Sequence, residues 1–386
     1  MRACRFMLIA GEPSGDQLAS ELVGAIRRAA PALGLEPSFV AAGGEHLAGA
    51  GAELLVDLTR HSVIGLWEAI RKYAAFRRIF DDLMRRALEL RPDFVVGIDY
   101  GGFNLRFAKA LRRRTRGTDW QPRIVQFVSP QVWASRPGRA RVLEENHDLL
   151  LGILPFEKAW YARHAPGVPF EFVGHPLVDR HGGRRPEPRS VPGPARIVLL
   201  PGSRPGELER HLPVLLRALE RIRQGFAVEA RLVLPNASLA DQARAIAGRE
   251  GLAMPAAEVG GLSDALSAAT LALASTGTVT LECAWYGVPT VALYRTSWST
   301  YEIGRRLIRV KYLAMPNLLA DGVVMPEFIQ DAATPGAIAE AALALLRDPG
   351  ALAESRAALG RVVDSLGLPG ACDRAAAAIL ATARSL

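Results

Sequence analysis

Short apolar runs alternate with helical stretches along almost the whole of this 386-residue chain, and this alternation constrains its fold more than any other feature. Because strands that alternate with helices form a parallel sheet covered on both faces, the chain is predicted to have a doubly wound α/β fold. The runs that predict strands are residues 6–10, 39–42, 94–98, 124–128, 149–153, 170–173, 197–200, 230–234, 271–274 and 290–294.

A stretch rich in glycine, proline and arginine interrupts the alternation at residues 180–194 and predicts a linker. The length of the chain also favours about two domains. We therefore expect Rossmann-like domains at residues 1–180 and 195–365, facing each other across a cleft lined by the loops at the C-terminal ends of their strands. The alanine-rich end of the chain has a helical period, and its final helix, about residues 366–386, is expected to pack on the first domain.

Composition narrows the classes of function. The net charge of +8 is compatible with a nucleic acid, an anionic membrane or a phosphorylated substrate as partner. The sequence contains no recognised nucleic-acid-binding module and its positive charge is spread along the chain, so we do not expect a nucleic acid. The three cysteines lack metal-ligand spacing, which favours a reducing compartment and predicts no metal site. Since no apolar run approaches the ~18 residues of a membrane-spanning helix, we expect a cytoplasmic protein that is not integral to the membrane.

Two turns at predicted strand ends carry chemistry suited to a diphosphate. The first follows residues 271–274 and gathers hydroxyls, backbone N–H groups and a helix end, with Glu282 about one turn further on. The same pattern also fits an ordinary helix N-cap. The second turn follows residues 197–200 and carries one fixed positive charge. Together they predict a sugar-nucleotide site formed by Gly202, Ser203, Arg204, Ser275, Thr276, Gly277 and Thr278.

The loop after the first predicted strand contains Gly11 and Ser14. Ser14 and Gln17 have the spacing of a capping box and predict that a helix begins there. The glycines of this loop let the backbone approach a ligand, but their spacing is not the dinucleotide fingerprint, so no NAD site is predicted.

Polar residues also follow the strands predicted at 94–98 and 124–128. Asp99 is well placed to act as a general base or to bind a sugar hydroxyl, although a lone aspartate is also a common turn or cap residue. After the next strand, Gln131 and Trp133 are able to shape a sugar or acyl site, and Arg136 suits an anionic acceptor. A solvated charge run is the alternative interpretation of this basic loop.

The segment at residues 61–80 interleaves bulky apolar residues with paired cations. Ile64, Trp67 and Ile70 belong to this segment, whose pattern is that of an interfacial helix or a pocket for acyl chains. A core-facing helix with a basic solvated side fits the same pattern. A lipid partner is the more specific of the two interpretations.

Short motifs are distributed through these loops and beyond them. They are Ala-Gly-Glu-Pro-Ser-Gly-Asp at residues 10–16, Gly-Ile-Asp with Phe-Asn at 97–104, Val-Ser-Pro-Gln-Val-Trp-Ala at 128–134, Leu-Pro-Phe-Glu at 154–157, Val-Gly-His-Pro at 173–176, Leu-Pro-Gly-Ser-Arg at 200–204, Ser-Thr-Gly-Thr at 275–278, Leu-Glu-Cys at 281–283 and Pro-Asn-Leu-Leu-Ala at 316–320. In their order and their spread along the chain they resemble the motifs of the lipid-A-disaccharide synthase family. Each motif alone is weak, but the set is highly specific.

The resemblance implies a two-domain glycosyltransferase of the GT-B type that uses no metal or other cofactor and inverts the anomeric centre. The family's donor is UDP-2,3-diacylglucosamine and its acceptor is 2,3-diacylglucosamine 1-phosphate. The products are UDP and a β(1→6)-linked disaccharide 1-phosphate, an intermediate of lipid A biosynthesis. The resemblance also implies peripheral contact with the anionic inner membrane and a homodimer with exchanged C-terminal parts.

The resemblance implies a role for each candidate residue. Arg204, Ser275, Thr276 and Thr278 would hold the diphosphate, Glu282 would accept hydrogen bonds from the ribose, and Asp99 would take the proton of the acceptor 6-hydroxyl. The remaining donor-site residues would be Gly11, Ser14, Gly202, Ser203, Gly277, Arg295 and Asn317. The acceptor and its acyl chains would contact Ile64, Trp67, Ile70, Asn104, Gln131, Trp133 and Arg136.

The chain departs from the family pattern near the predicted base. Gly101 and Gly102 stand where family members usually have Pro-Asp, and Ser135 replaces the second tryptophan of Trp-Ala-Trp. Asp99 is therefore the only carboxylate of its loop, which leaves the acceptor and its acyl-chain length open.

The sequence also leaves two alternatives to this family. The first is another GT-B enzyme, such as a peptidoglycan-type N-acetylglucosaminyltransferase or a UDP-GlcNAc 2-epimerase. The second is a non-catalytic membrane-binding protein. The basic, bulky 61–80 segment argues against a 2-epimerase, whose substrate has no lipid.

Overall fold

The computed structural model describes residues 1–59, 66–182 and 193–385, with only the backbone described at residues 66–75, 299, 303, 384 and 385. The chain divides into two compact units. The first unit is Met1–Gly183 together with Gly367–Leu386, and the second unit is Arg184–Leu366.

The first unit is built on a seven-stranded parallel sheet with the order β3-β2-β1-β4-β5-β6-β7. Its strands are β1 (Arg2–Ala10), β2 (Leu35–Gly43), β3 (Glu53–Asp57), β4 (Phe94–Ile98), β5 (Arg123–Phe127), β6 (Leu149–Gly152) and β7 (Phe170–Phe172). Its helices are α1 (Pro13–Ala29), α2 (Glu45–Gly49), α3 (Leu66–Leu90), α4 (Gly101–Thr115), α5 (Val132–Ser135), α6 (Ala140–Asn146), α7 (Glu157–His164) and α8 (Pro176–Arg180).

The second unit repeats this architecture with a six-stranded parallel sheet of order β10-β9-β8-β11-β12-β13. Its strands are β8 (Ala195–Leu200), β9 (Val228–Leu234), β10 (Ala256–Val259), β11 (Leu271–Ser275), β12 (Thr290–Tyr294) and β13 (Glu327–Ile329). Its helices are α9 (Pro205–Gly225), α10 (Ala237–Glu250), α11 (Leu262–Ser267), α12 (Val279–Trp285), α13 (Trp298–Leu307), α14 (Met315–Ala320), α15 (Pro335–Arg347) and α16 (Pro349–Ser365). The predicted α/β class with doubly wound sheets is thus confirmed.

Each sheet is covered on both faces, which explains why its central strands read as continuous apolar runs. Neighbouring residues of a strand point to opposite faces, so Phe6 and Leu8 of β1 lie in one core cluster while Met7 and Ile9 lie in another. The second unit follows the same rule, with Leu199 of β8 in one cluster and Val198 in another.

The chain returns to the first unit through its last helix, α17 (Ala371–Ala381), which packs against α1. Asp179 of α8 accepts hydrogen bonds from the backbone N–H groups of Gly370 and Ala371 and so holds the beginning of α17. The guanidinium of Arg374 donates to the carbonyl oxygen of Val173 at 2.8 Å. These contacts fix the C-terminal helix on the sheet of the first unit.

The capping box predicted at Ser14 and Gln17 is wrong. Helix α1 begins at Pro13 with Glu12 in the N-cap position, so Ser14 already lies within the first turn. Proline is favoured at the first helical position because its fixed φ suits the helix and its missing N–H would have had no partner there. Pro13 therefore starts the helix before Ser14 can cap it.

The strand orders identify where ligands of such sheets bind. The order reverses between β1 and β4 in the first unit and between β8 and β11 in the second unit. Ligands of doubly wound sheets bind beyond the C-terminal ends of the strands at such a reversal. The loops at these two points contain Gly11 and Asp99 in the first unit, and Arg204 and Thr276 in the second unit.

Candidate active site

A pocket of about 490 Å³ lies at the C-terminal ends of β8 and β11 in the second unit. It is lined by the two turns that the sequence predicted to bind a diphosphate, by the start of α12, and by residues at and just after the ends of β9 and β10. The predicted donor-site residues that line it are Gly202, Ser203, Arg204, Ser275, Thr276, Gly277, Thr278 and Glu282. The structure therefore brings into one pocket residues that lie up to 80 positions apart in the sequence, from Gly202 to Glu282.

The turn after β8 is held in shape by Glu207 of α9. Gly202 has a φ of +119°, and a Cβ at this position would lie 2.5 Å from Oε2 of Glu207, so only glycine fits. The same oxygen accepts the backbone N–H of Ser203 at 3.2 Å. Arg204 lies 3.4 Å from the other carboxylate oxygen, but 62% of its side chain remains exposed. The guanidinium is therefore accessible at the pocket, next to the first turn of a 21-residue helix.

The turn after β11 is not the ordinary N-cap that the sequence left open as an alternative. Thr278 occupies the N-cap position of α12, but within the described residues its side chain makes no capping bond. Gly277 has a φ of +135°, which favours glycine, and the backbone N–H of Thr276 donates to the carbonyl oxygen of Leu293 at 3.0 Å. The turn is thus fastened to the neighbouring strand β12, while Thr278 is exposed at the pocket.

Four predicted donor-site residues are not among the described residues that line this pocket. Gly11 and Ser14 belong to the first unit, and Arg295 and Asn317 belong to the second. Arg295 follows β12, and its backbone N–H donates to Nε2 of His211 at 2.9 Å. Asn317 is completely buried. Its Nδ2 donates to the carbonyl oxygen of Met325 at 2.9 Å and to Glu327 at 3.1 Å, and its Oδ1 accepts the N–H groups of Val324 and Met325. These bonds use the capacity of the amide, so Asn317 shapes the turn after α14, and its contact with a nucleotide stays a prediction.

In the first unit, Asp99 lies in a strained loop after β4. Asp99 and Tyr100 have φ values of +49° and +46°, a left-handed conformation that is costly for residues other than glycine. The carbonyl oxygen of Asp99 accepts hydrogen bonds from the buried amides of Asn104 and Gln126, both at 2.9 Å. Its backbone N–H donates to Phe127 at 2.9 Å. These bonds hold the backbone in its strained form and fix the direction of the Asp99 side chain.

The surroundings of Asp99 favour its neutral form. Solvent reaches the residue, but the protein packed around the carboxyl raises its pKa, and the nearby charge of Glu12 raises it further. A hydrogen bond from the backbone of Tyr100 acts in the opposite direction. A carboxylate with a raised pKa is a stronger base than an ordinary aspartate, and this is the property that a general base needs.

The loop after β5 is organised by a residue that sequence reasoning passed over. Glu157 is almost completely buried, and its Oε1 accepts Ser129 Oγ at 2.6 Å and Trp133 Nε1 at 3.0 Å. Its Oε2 accepts the backbone N–H of Leu154 at 3.1 Å. Burial raises the pKa of Glu157, and the three donors partly offset this effect. The glutamate of the Leu-Pro-Phe-Glu motif therefore fastens the motif at residues 128–134 to the first turn of α7.

The acceptor-site candidates of the first unit fall into two groups. Asn104 and Trp133 are buried. Nδ2 of Asn104 donates to the carbonyl oxygen of Asp99 and Nε1 of Trp133 donates to Glu157, whereas Oδ1 of Asn104 has no hydrogen-bond partner within the described part of the chain. Their contacts with an acceptor stay predictions. Gln131 and Arg136 are exposed at the ends of α5. Ile64 and the side chains of Trp67 and Ile70 lie outside the described residues, so their predicted lipid contacts stay predictions.

The loop after β1 is shaped by close packing. A Cβ at Gly11 would lie 2.3 Å from the ring of Tyr100, so glycine is required there. Ser14 is exposed in the first turn of α1. Asp16 is buried and accepts the backbone N–H groups of Gly44 at 2.7 Å and His46 at 2.9 Å, which joins α1 to the start of α2. Sequence reasoning missed Asp16, although it is the last residue of the Gly-Glu-Pro-Ser-Gly-Asp motif.

Comparison with known sequences identifies relatives along the whole chain. The family model described as LpxB, lipid-A-disaccharide synthetase, matches residues 6–381. A lipid-A-disaccharide synthase of Geobacter metallireducens is 37% identical over 385 residues, which cover 97% of this chain and 96% of the relative. The lipid-A-disaccharide synthase of Pseudomonas paraeruginosa is 38% identical over 355 residues, which cover 89% and 90% of the two chains.

Solved structures of lower sequence identity share the fold. A UDP-GlcNAc 2-epimerase of Neisseria meningitidis, bound to UDP-GlcNAc, superposes with a TM-score of 0.61 at 11% identity and covers 98% of this chain and all of its own. MurG of Acinetobacter baumannii superposes with a TM-score of 0.55 at 15% identity, covering 98% and 99% of the two chains. At these identities the similarity concerns the fold alone, which is of the GT-B type.

Proposed function

This chain belongs to the lipid-A-disaccharide synthase family of glycosyltransferases in lipid A biosynthesis, and from that membership we propose a specific reaction. The enzyme joins UDP-2,3-diacylglucosamine to 2,3-diacylglucosamine 1-phosphate with inversion at the anomeric carbon. The products are the β(1→6)-linked disaccharide 1-phosphate and UDP. The observation that carries the proposal is the convergence of Arg204 with the turn at residues 275–278 in one pocket of the second unit.

The chemistry of this pocket suits the diphosphate of the donor. Arg204 supplies a permanent positive charge and several N–H donors, and the hydroxyls of Ser275, Thr276 and Thr278 add further donors. As the glycosidic bond to the diphosphate breaks, negative charge grows on the departing UDP, and fixed donors around it lower the barrier. Glu282 lines the same pocket about one helical turn after Thr278. We assign it to the ribose hydroxyls, since a carboxylate accepts hydrogen bonds from both.

The acceptor hydroxyl needs a base, and we assign this role to Asp99. The ionised carboxylate takes the proton of the 6-hydroxyl while the hydroxyl oxygen attacks the anomeric carbon and the bond to UDP breaks. The raised pKa of Asp99 supports the assignment, as does the pair of buried amides that fixes its backbone. The exposed Gln131 and Arg136 on the next loop suit a phosphorylated sugar acceptor.

Both proposed substrates carry acyl chains, so we also propose that the enzyme works at an anionic membrane surface. Among the described residues, no helix has the length and apolar character needed to cross a bilayer. Helix α13 and the residue after it offer exposed apolar and cationic side chains for peripheral contact. Trp298 at the start of the helix is 76% exposed, and the exposed Leu307 and Ile308 follow the exposed Arg305 and Arg306 at its end. Tryptophan and cationic side chains together favour the interface of an anionic bilayer.

Replacement of Arg204 tests the proposed donor site. We expect Arg204→Ala to raise the Kd for UDP by about 10- to 100-fold, because charge-assisted hydrogen bonds contribute about 1.5–3 kcal/mol. Isothermal titration calorimetry with UDP measures this change. Arg210→Ala is the matched control, since Arg210 is an exposed arginine of α9, the helix that begins directly after Arg204, and is not among the residues that line the pocket. An Arg204→Ala enzyme with the UDP affinity of the wild type would contradict the proposed site.

A further inference from the structure

His211 lies directly behind the proposed donor site and is completely buried. It belongs to α9, two turns after Arg204. Its Nδ1 lies 2.8 Å from the carbonyl oxygen of Pro201. Its Nε2 lies 2.9 Å from the backbone nitrogen of Arg295 and 3.1 Å from the carbonyl oxygen of the same residue. Both ring nitrogens are therefore bonded to the backbone of loops that follow strands of the sheet.

Both ring nitrogens have backbone partners. A carbonyl oxygen can only accept a hydrogen bond, so Nδ1 carries a hydrogen and donates it to Pro201. Nε2 lies close to both the N–H and the carbonyl oxygen of Arg295, so it bonds to this residue as an acceptor when the ring is neutral and as a donor when the ring is protonated. Burial lowers the pKa of His211, and the two carbonyl contacts act in the opposite direction.

The two loops that His211 binds lie on either side of the turn at residues 275–278, which is proposed to hold the diphosphate. Pro201 begins the loop after β8 that contains Arg204, and Arg295 follows β12. Strand β11, which ends in the turn at residues 275–278, lies between β8 and β12 in the sheet. His211 consequently joins the two outer loops across the middle one, and the bond from Thr276 to Leu293 joins the middle turn to β12.

Helix α9 contacts the Arg204 loop through two side chains on one face. Glu207 and His211 are four residues apart, so they are neighbours on the helix surface. Glu207 accepts the N–H of Ser203 and pairs with Arg204, while His211 binds the loop at Pro201. The loop is therefore held at both of its ends.

A buried histidine that only fills space would not need these partners. His147, also buried and with a lowered pKa, bonds through Nδ1 to Leu143 of its own helical turn. His211 instead joins loops 94 residues apart in the sequence, at 201 and 295. Its hydrogen bonds fix the position of the residues that would face a diphosphate.

We propose that His211 is a positioning residue of the donor site, whose hydrogen bonds hold the Arg204 loop and the Arg295 segment in place for a nucleoside diphosphate. This inference rests on the proposed function, because the site that His211 would preorganise is the UDP site. Binding is tighter when the groups that contact a ligand are ordered before it arrives.

The inference is tested with UDP as the probe. We expect His211→Phe, which keeps an aromatic ring but no hydrogen bond, to raise the Kd for UDP by about tenfold. His211→Asn retains a donor near the position of Nδ1, and His211→Gln retains an acceptor near the position of Nε2. Each should recover part of the affinity, with a Kd about threefold above that of the wild type. His147→Phe is the matched control in the first unit and should bind UDP as the wild type does.

Calorimetric Kd values and melting temperatures together distinguish the outcomes. A purely structural role would lower the melting temperature of the His211 variants and leave the Kd of the folded protein unchanged, which would overturn the inference. If His211→Phe does not fold, the Kd values of His211→Asn and His211→Gln test the inference. Wild-type affinity for UDP in both variants would overturn it. If UDP binds neither the wild type nor His147→Phe, the proposed function fails and this inference fails with it. UDP binding by both, with an unchanged Kd in every His211 variant, refutes the role of His211 alone.

Discussion

Removal of the buried carboxylate of Glu157 should loosen the loop that carries the acceptor-site candidates. Glu157 accepts three hydrogen bonds, from Ser129, Trp133 and the backbone of Leu154. Glu157→Ala leaves all three donors without this partner in the interior of the first unit. Glu157→Gln keeps the shape of the side chain, but its amide N–H₂ must face at least one of the three donors.

The magnitude follows from these contacts. A buried donor left unsatisfied costs about 1–3 kcal/mol, so three of them would cost about 3–9 kcal/mol. Removal of a carboxylate whose pKa is raised by burial also relieves a desolvation penalty, which places the net cost of Glu157→Ala near the lower end, at about 3 kcal/mol. Glu157→Gln leaves one donor facing the amide N–H₂, so we expect it to lower the free energy of unfolding by about 1–2 kcal/mol.

Equilibrium unfolding in urea, followed by circular dichroism, measures the change in the free energy of unfolding. Glu145→Ala is the matched control, because it removes an exposed glutamate that pairs with the exposed Arg141, and we expect a change of no more than about 0.5 kcal/mol. UDP affinity should be unchanged in the folded Glu157 variants, since the pocket belongs to the second unit, whereas turnover should fall. A loss below about 1 kcal/mol in Glu157→Ala would refute the reasoning, because the three bonds would then contribute little.

Two further predictions concern the base and the membrane. Asp99→Asn should lower turnover by about 100-fold or more and leave the Kd for UDP unchanged, as expected when a general base is removed. The active form of Asp99 is ionised, so kcat/KM of the wild type should fall as the pH is lowered through the pKa of Asp99. Because this pKa is raised, the fall should begin above the pH range in which an ordinary aspartate titrates. A wild-type profile that stays flat down to about pH 4 would contradict the assignment. Trp298→Ser should weaken cosedimentation with anionic vesicles by several-fold, whereas Leu368→Ser, which alters an equally exposed apolar residue, should not. Equal sedimentation of the Trp298 variant and the wild type would exclude α13 as a membrane contact.

The central strands of both sheets could be predicted from the sequence, and the missed strands lie at the edges. Buried on both faces, β1, β4, β8 and β11 are continuous apolar runs, which is the pattern that the prediction used. The strands that sequence reasoning missed are β3, β10 and β13. Each lies at the edge of its sheet, and their residues are exposed or only partly buried, as in Ala-Ala-Glu-Val of β10. An edge strand covers less of the core, so its sequence carries little of the apolar signal.

The candidate site was predictable where local sequence determines it and not where distant contacts do. The turns at residues 202–204 and 275–278 follow apolar strands directly, so their place at the C-terminal ends of these strands could be predicted. Asp16, Glu157 and His211 take their roles from partners up to 84 residues away, such as Arg295 for His211. A polar residue within a family-like motif was a usable signal for Asp16 and Glu157. His211 had no such signal, because only the fold brings Pro201 and Arg295 to the same ring.

The product formed from the two lipid substrates tests the proposed function most directly. Purified enzyme is incubated with UDP-2,3-diacylglucosamine and 2,3-diacylglucosamine 1-phosphate, and the lipids are analysed by mass spectrometry. We predict a tetraacylated disaccharide monophosphate together with an equal amount of UDP, both lost in the Arg204→Ala enzyme. UDP release without a disaccharide, or an isomerised donor with no transfer, would contradict the proposed reaction.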